Sequence, residues 1–236
     1  MQGIAFTPLF VRTGHLHFYF SPKEFFMSSL LLTAPPAAEP VSLAEAKAHL
    51  RVDGDADDTL IESLIVAARQ SCETFTGRAL ITQGWRLWLD APSQNASPWW
   101  DGMIDAPANC FDVRAIPLPR APLQTVTAIT SFDSENNETA LSAGNYHIDN
   151  ASQPGRVVLK DGANWPSVIR RVQAVRVDYT AGYGDAANDV PMALRQGILL
   201  HVAQLYANRG DVSDGNTGLP LAARALYQPY RLLKVV

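Results

Sequence analysis

EPVSLAEAKAHLRVDGDADDTLIESLIVAARQSCETFTGRAL, residues 39–80, reads as a helix, an acidic turn and a second, amphipathic helix. After Pro40, Ser42 caps a short helix with Glu45 three residues on, an arrangement that satisfies orphan backbone donors at a helix start. This helix ends near Val52. The DGDADD turn supplies caps and negative charge at the positive end of the next helix, where Thr59 and Glu62 offer a further capping pair. Ile61, Leu64, Ile65, Ala68, Cys72 and Phe75 recur at helical spacing, so one face is apolar, and Gly77 stops the helix.

The chain closes on helices as well. Val190-Pro191 sets a proline in the first turn of a helix, where its missing donor costs nothing. Leu194, Ile198, His201, Val202 and Leu205 line one face, with Leu199 and Tyr206 beside it, and Asn208-Arg209-Gly210 is a normal stop. A polar, Gly-rich loop, DVSDGNTG, leads to a short helix over Leu221 to Tyr227, which Pro229 ends. The remaining PYRLLKVV is apolar and basic, and reads either as a strand docked on this protein or as a tail that docks on another.

Between these ends lies a β-rich middle. In ITQGWRLWLD, Trp85, Leu87 and Leu89 fall on one face and Arg86, Trp88 and Asp90 on the other, the period of a strand. Phe111–Leu118, Leu123–Phe132, Tyr146–Ile148, Arg156–Leu159 and Val172–Tyr179 follow as strands separated by Pro, Gly, Asn and Asp clusters. The expected product is a small antiparallel sheet or sandwich. Trp99 and Trp100, in a long loop, form either an exposed contact or a lid over the sheet.

With 236 residues, 47% hydrophobic and 18% charged, the chain can bury a substantial core. A net charge of -4 argues against a surface that grips nucleic acid broadly. Cys72 and Cys110 supply no disulfide framework or zinc spacing and are read as small hydrophobes. Arg12, His15, His17, Lys23 and Glu24 interrupt the aromatic first 26 residues, which rules against a signal peptide. No stretch has transmembrane length. Residues 1–26 are either an extension from an upstream start or an arm for a partner, and Thr33 to Pro40 is a linker or extended lead-in.

Catalytic patterns are not visible. Asp53, Asp55 and Asp57 begin like a calcium loop, but Asp58 stands where such a loop needs Gly, and Leu64 where it needs a bidentate Glu. Helix capping accounts for these acids better. His49, His147 and His201 have no ligand partner at metal spacing, and His201 reads as a helix residue at the core edge. Gly182-Tyr183-Gly184 lacks the rest of a phosphate loop, and no GxSxG or Cys/His signature occurs. Neither a catalytic residue, a cofactor nor a metal is expected.

The run VSLAEAKAHLRVDGDADDTLIESLIVAARQSCETFTGRAL, the segment DVPMALRQGILLHVAQLYANRG and the ending LPLAARALYQPYRLLKV together resemble the head-tail connector (adaptor) proteins of tailed phages and gene transfer agents. The ordered set carries the likeness: a helix pair ending in TGR, a helix opening at DVP and ending in NR, and a PYR tail. The resemblance covers nearly everything after Pro40, and the β-rich middle matches the longer subgroup of such connectors.

The resemblance implies an α+β fold, with a helical bundle from the N- and C-terminal segments, an inserted antiparallel β-rich domain and an extended C-terminal tail. The boundaries are 1–40 extension and linker, 41–80 and 185–228 connector helices, 81–184 β insert, and 229–236 tail. It implies a non-enzymatic virion neck protein, present in host cytoplasm during assembly, that forms a ring of twelve copies under the portal protein. Such a ring extends the DNA channel without sequence-specific contact or membrane, and offers a platform to a downstream neck, stopper or tail-completion protein. Tyr230, Arg231, Leu232, Leu233, Lys234, Val235 and Val236 would reach the portal. The acidic turn of Asp53, Asp55, Asp57 and Asp58 faces the lumen, a neighbour or solvent. The alternative is a carbohydrate- or protein-binding accessory module of a phage tail, built on the β segment.

Overall fold

Ser42 closes a capping box with Glu45: the Glu45 amide donates to Ser42 Oγ at 3.2 Å, and the Ser42 amide to Glu45 Oε2 at 2.9 Å. Helix α1 (Leu43–Leu50) follows and ends at Arg51, in the left-handed region. A computed structural model describes residues 28–90, 115–164, 169–208 and 219–232. The second helix, α2 (Asp58–Thr76), starts within the acidic turn, as the sequence suggests, and not at the further pair. Asp57 is its cap residue, so Thr59 and Glu62 lie inside the helix and form no cap. Asp58 is drawn in by Lys47 of α1, whose Nζ lies 2.6 Å from its carboxylate, and Asp57 O accepts the Ile61 amide.

The predicted apolar face of α2 is inward. Ile61, Ile65, Ala68 and Cys72 are buried, with Leu64 and Phe75 packed against the same core. Helix α3 (Met192–Ala207), with Pro191 just before it, brings Leu194, Ile198, Leu199 and Val202; α4 (Leu221–Tyr227) brings Ala223 and Tyr227. Full burial of an aliphatic side chain stabilises by about 1.5–3 kcal/mol, so this shared core, more than helix propensity, holds the four helices together. At Gly197 of α3 a Cβ would lie 2.3 Å from Tyr227 Cε1, so glycine there permits the close approach of α4.

A second core belongs to the strands. One sheet has the order β1-β2-β8-β4-β5, all antiparallel, built from β1 (Ser28–Ala34), β2 (Gln83–Leu89), β4 (Leu123–Phe132), β5 (Glu138–Ala140) and β8 (Val175–Ala181). The other, antiparallel too, runs β3-β7-β6 from β3 (Ala115–Pro117), β6 (Tyr146–Asp149) and β7 (Arg156–Leu159). Register sets Trp85 opposite Tyr179 and Leu87 opposite Val177. These four share a buried cluster with Ile116, Tyr146, Val157 and Leu159 of the small sheet, so the two sheets enclose one core.

Several boundaries differ from expectation. Residues 28–34, across the start of the supposed linker, form β1 and pair with β2; β5 was not expected. The last strand runs from Val175 to Ala181 and not from Val172, and the strand read from Phe111 is described only over Ala115–Pro117. Residues 1–27, Trp99, Trp100 and Cys110 lie outside the described residues.

Candidate functional site

The end of α2 is where helices, sheets and tail meet. Gly77 has φ +75°, the left-handed C-cap that glycine adopts without Cβ strain, and its amide donates to Glu73 O. The chain then turns at Arg78, and Ala79 enters the β core while Leu80 and Ile81 enter the helical one. Glu73, buried, holds this turn from within. Its Oε1 accepts from the Leu80 amide at 3.0 Å and Gln83 Nε2 at 2.7 Å, and its Oε2 from Arg69 NH1 at 2.8 Å. Arg69 in turn reaches Glu39 at 2.7 Å, ahead of α1. A buried carboxylate paired and hydrogen-bonded in this way is costly to break, because removing one partner strands the other in low dielectric.

The tail begins on the same turn. After α4, a 3₁₀ turn over Gln228–Tyr230 leads to Arg231 and Leu232. The Leu232 amide donates to Thr76 O at 2.8 Å, Arg78 Nε donates to Tyr230 O at 2.6 Å, and the Arg231 guanidinium lies 5.3 Å over the Phe75 ring. Arg78, 7% exposed, extends NH2 to Gln153 Oε1 at 2.6 Å in the β6–β7 connection, and faces the Tyr183 ring. Burial of Tyr183 holds its phenol above the usual range, against the opposing pull of Arg78. Tyr230, Arg231 and Leu232 therefore rest on their own subunit; Leu233, Lys234, Val235 and Val236 lie outside the described residues.

The acidic turn is at the opposite end of α2. Lys47 Nζ bridges Asp55 at 2.9 Å and Asp58 at 2.6 Å, and the Tyr206 hydroxyl of α3 donates to Asp57. The Asp55 side chain is 90% exposed even so, and Asp53 is exposed. Asp58 and Asp57 thus tie the start of α2 to α1 and α3. Deep in the helical core, burial and then the charge of Glu73 push the Cys72 thiol up to about 12, the behaviour of an inert hydrophobe. His201 is buried in α3 as the sequence suggests. Burial lowers its pKa from the ordinary 6.5, and Nδ1 has no hydrogen-bond partner among the described residues.

Sequence reasoning quoted TGR and PYR as two separate marks and missed that they are in contact. Thr76, Gly77, Arg78 and Gln153 were not singled out as site residues. The signal that could have found them was the joint presence of the two triplets, since Arg78 and Tyr230 are 152 positions apart.

Two cores are thus tied by a buried polar turn on which Tyr230 to Leu232 rest, and an exposed acidic loop lies at the far end of α2. Residues 40–142 match the model of the phage gp6-like head-tail connector protein family. A chain from the neck of an empty gene transfer agent (GTA) particle, computed with C6 symmetry, is similar at 27% identity and a TM-score of 0.68, over 88% of this chain and 97% of that one. A chain from the virion of the native GTA particle is similar at 28% identity and a TM-score of 0.65, over 88% and 97%. One from the neck of the native particle, computed with C12 symmetry, is 29% identical with a TM-score of 0.63, over 89% and 97%. Among curated proteins none matches the chain.

Proposed function

We propose that this chain is a structural, non-enzymatic adaptor of the head-tail neck of a phage-like particle. The observation that carries the reading is a likeness to GTA neck chains that extends over 97% of each of those chains, joined to the connector family match at residues 40–142. The neck of the native particle was computed with C12 symmetry, and twelve copies in a closed ring is the corresponding state here. Such a ring needs two different complementary surfaces on each subunit, because a self-complementary patch closes as a two-fold dimer. The helices of 41–80 and 185–228 form its wall as a bundle, and the β-rich 81–184 is the insert carried on it. The separate helical and β cores support this division, with β1 as an added edge strand from ahead of the first helix.

In this reading the tail that begins at Tyr230 docks on the portal protein through Leu233 to Val236, with Tyr230, Arg231 and Leu232 seated on their own subunit, and the opposite side of the ring receives the next neck or tail-completion protein. DNA passes through the channel without sequence-specific contact. The acidic turn of Asp53, Asp55, Asp57 and Asp58 faces the lumen, where carboxylates repel phosphate and let the duplex slide. No helix among the described residues is long and apolar enough to cross a membrane, and the site of action is the virion neck after assembly in host cytoplasm. Quantitative mass spectrometry of purified particles tests the reading. Copy numbers near those of the portal protein support a ring of adaptors, and absence from particles overturns it.

A further inference from the structure

We infer that Thr76, Gly77 and Arg78 are positioning residues for the docking tail: they clasp its first residues and set the point and direction from which Leu233 onward leaves the subunit. This rests on the adaptor reading, in which the tail reaches the portal. Two main-chain groups of the tail are held, the Tyr230 carbonyl by Arg78 Nε at 2.6 Å and the Leu232 amide by Thr76 O at 2.8 Å. They belong to alternate residues, so the clasp fixes the path of the chain independently of its side chains, as one rung of a β-ladder does. Side chains add to it. Leu232 packs over Gly77, 3.6 Å from where a Cβ would stand, and Arg231 covers Phe75.

Arg78 is itself immobilised. It is buried, its second arm is held by Gln153 at 2.6 Å, and the Tyr183 ring lies 6.0 Å away. The guanidinium fork lets one side chain grip a carbonyl of the tail and an amide oxygen of the β6–β7 connection at once. An ammonium is a point donor without that fixed geometry. A tail that leaves from a rigid clasp has fewer conformations to lose when it docks, and is aimed before it meets its partner.

The experiment uses the full chain and purified portal protein. Measured are portal affinity, hydrogen exchange at the Leu232 amide in the free protein, and the unfolding midpoint. Arg78→Ala is expected to speed exchange at Leu232 and to weaken portal binding by about tenfold or more, with Arg78→Lys between it and the parent. Deletion of Leu233–Val236 should abolish binding while leaving exchange at Leu232 slow. If the deletion abolishes binding but Arg78→Ala leaves affinity unchanged, the clasp is merely structural and the inference fails, with the adaptor reading intact. If the deletion leaves binding unchanged, portal docking by the tail fails and takes the clasp's role with it. Should Arg78→Ala not fold, Gln153→Ala releases only the outer arm; faster exchange at Leu232 with weaker binding upholds the clasp, and parental values for both overturn it.

Discussion

Glu73 joins the end of α2 to the start of the β segment, because one carboxylate takes hydrogen bonds from Arg69, the Leu80 amide and Gln83. Glu73→Ala leaves the buried Arg69 guanidinium with Glu39 as its one remaining ion-pair partner and takes the carboxylate away from two further donors. It is expected to cost about 3–5 kcal/mol, the range for breaking a buried ion pair, read by urea denaturation at pH 7. A loss below 1 kcal/mol would mean that water or rearrangement replaces the carboxylate. His201 sets a pH dependence instead. Its pKa in the fold lies below the ordinary 6.5 because burial disfavours the imidazolium. As pH falls through 6.5 the unfolded chain takes up the proton first, so stability is full above that pH and declines below it. His201→Gln should flatten the decline between pH 6.5 and 5 in thermal melts, and an unchanged slope would assign the acid sensitivity to other groups. Both residues were visible in the sequence to different degrees. His201 fell on an apolar helical face and its burial followed, whereas Glu73 sits among ordinary helix residues, and only the turn at Gly77–Arg78 brings Leu80 and Gln83 back to it.

At the scale of elements, the helices were legible because their signals are local. Ser42 with Glu45, the Ile61–Phe75 spacing and the Gly77 stop each lie within a few turns of what they govern. Strand β1 was not, since SSLLLTA has three successive leucines in place of alternation, and its partner β2 lies beyond two helices. Only pairing separates those leucines. Leu30 stands opposite Leu87 and packs on the β core, while Leu31 stands opposite Arg86 on the other face and is 53% exposed. Leu30→Ala is therefore expected to cost about 1–2 kcal/mol, less than a fully buried leucine, and Leu31→Ala to stay within about 0.5 kcal/mol. Equal losses in chemical denaturation would show that β1 does not hold this register. At the start of α2 the acidic turn supplies the cap residue, Asp57, as read, whereas the Thr59 and Glu62 pair does not cap, because Lys47 reaches across from α1 and draws Asp58 into the first turn.

For the whole molecule, the acidic turn and the seat of Tyr230 to Leu232 lie at opposite ends of α2, so in the ring proposed above they would face different surroundings. Of the four acids, Asp57 is engaged by Tyr206 and Asp58 by Lys47, whereas Asp53 and Asp55 are exposed. Asp55 shares Lys47, but a bridge with one partner at 90% exposure contributes little to stability. Reversing both charges, Asp53→Lys with Asp55→Lys, should accordingly leave the subunit fold within about 1 kcal/mol of the parent. The effect belongs to the assembly. Twelve copies, the state proposed above, turn two substitutions into a belt of positive charge, and a duplex that slid past carboxylates would then be held by its phosphates, more strongly at low salt. Particles with the double reversal should contain the normal number of copies and eject DNA more slowly, the delay shrinking as ionic strength rises. Ejection at the parental rate from particles with a full ring would move the turn out of the channel to the outer wall or a subunit contact. Slow ejection insensitive to salt would point to a displaced ring, since only a charge contact with the backbone is relieved by added ions.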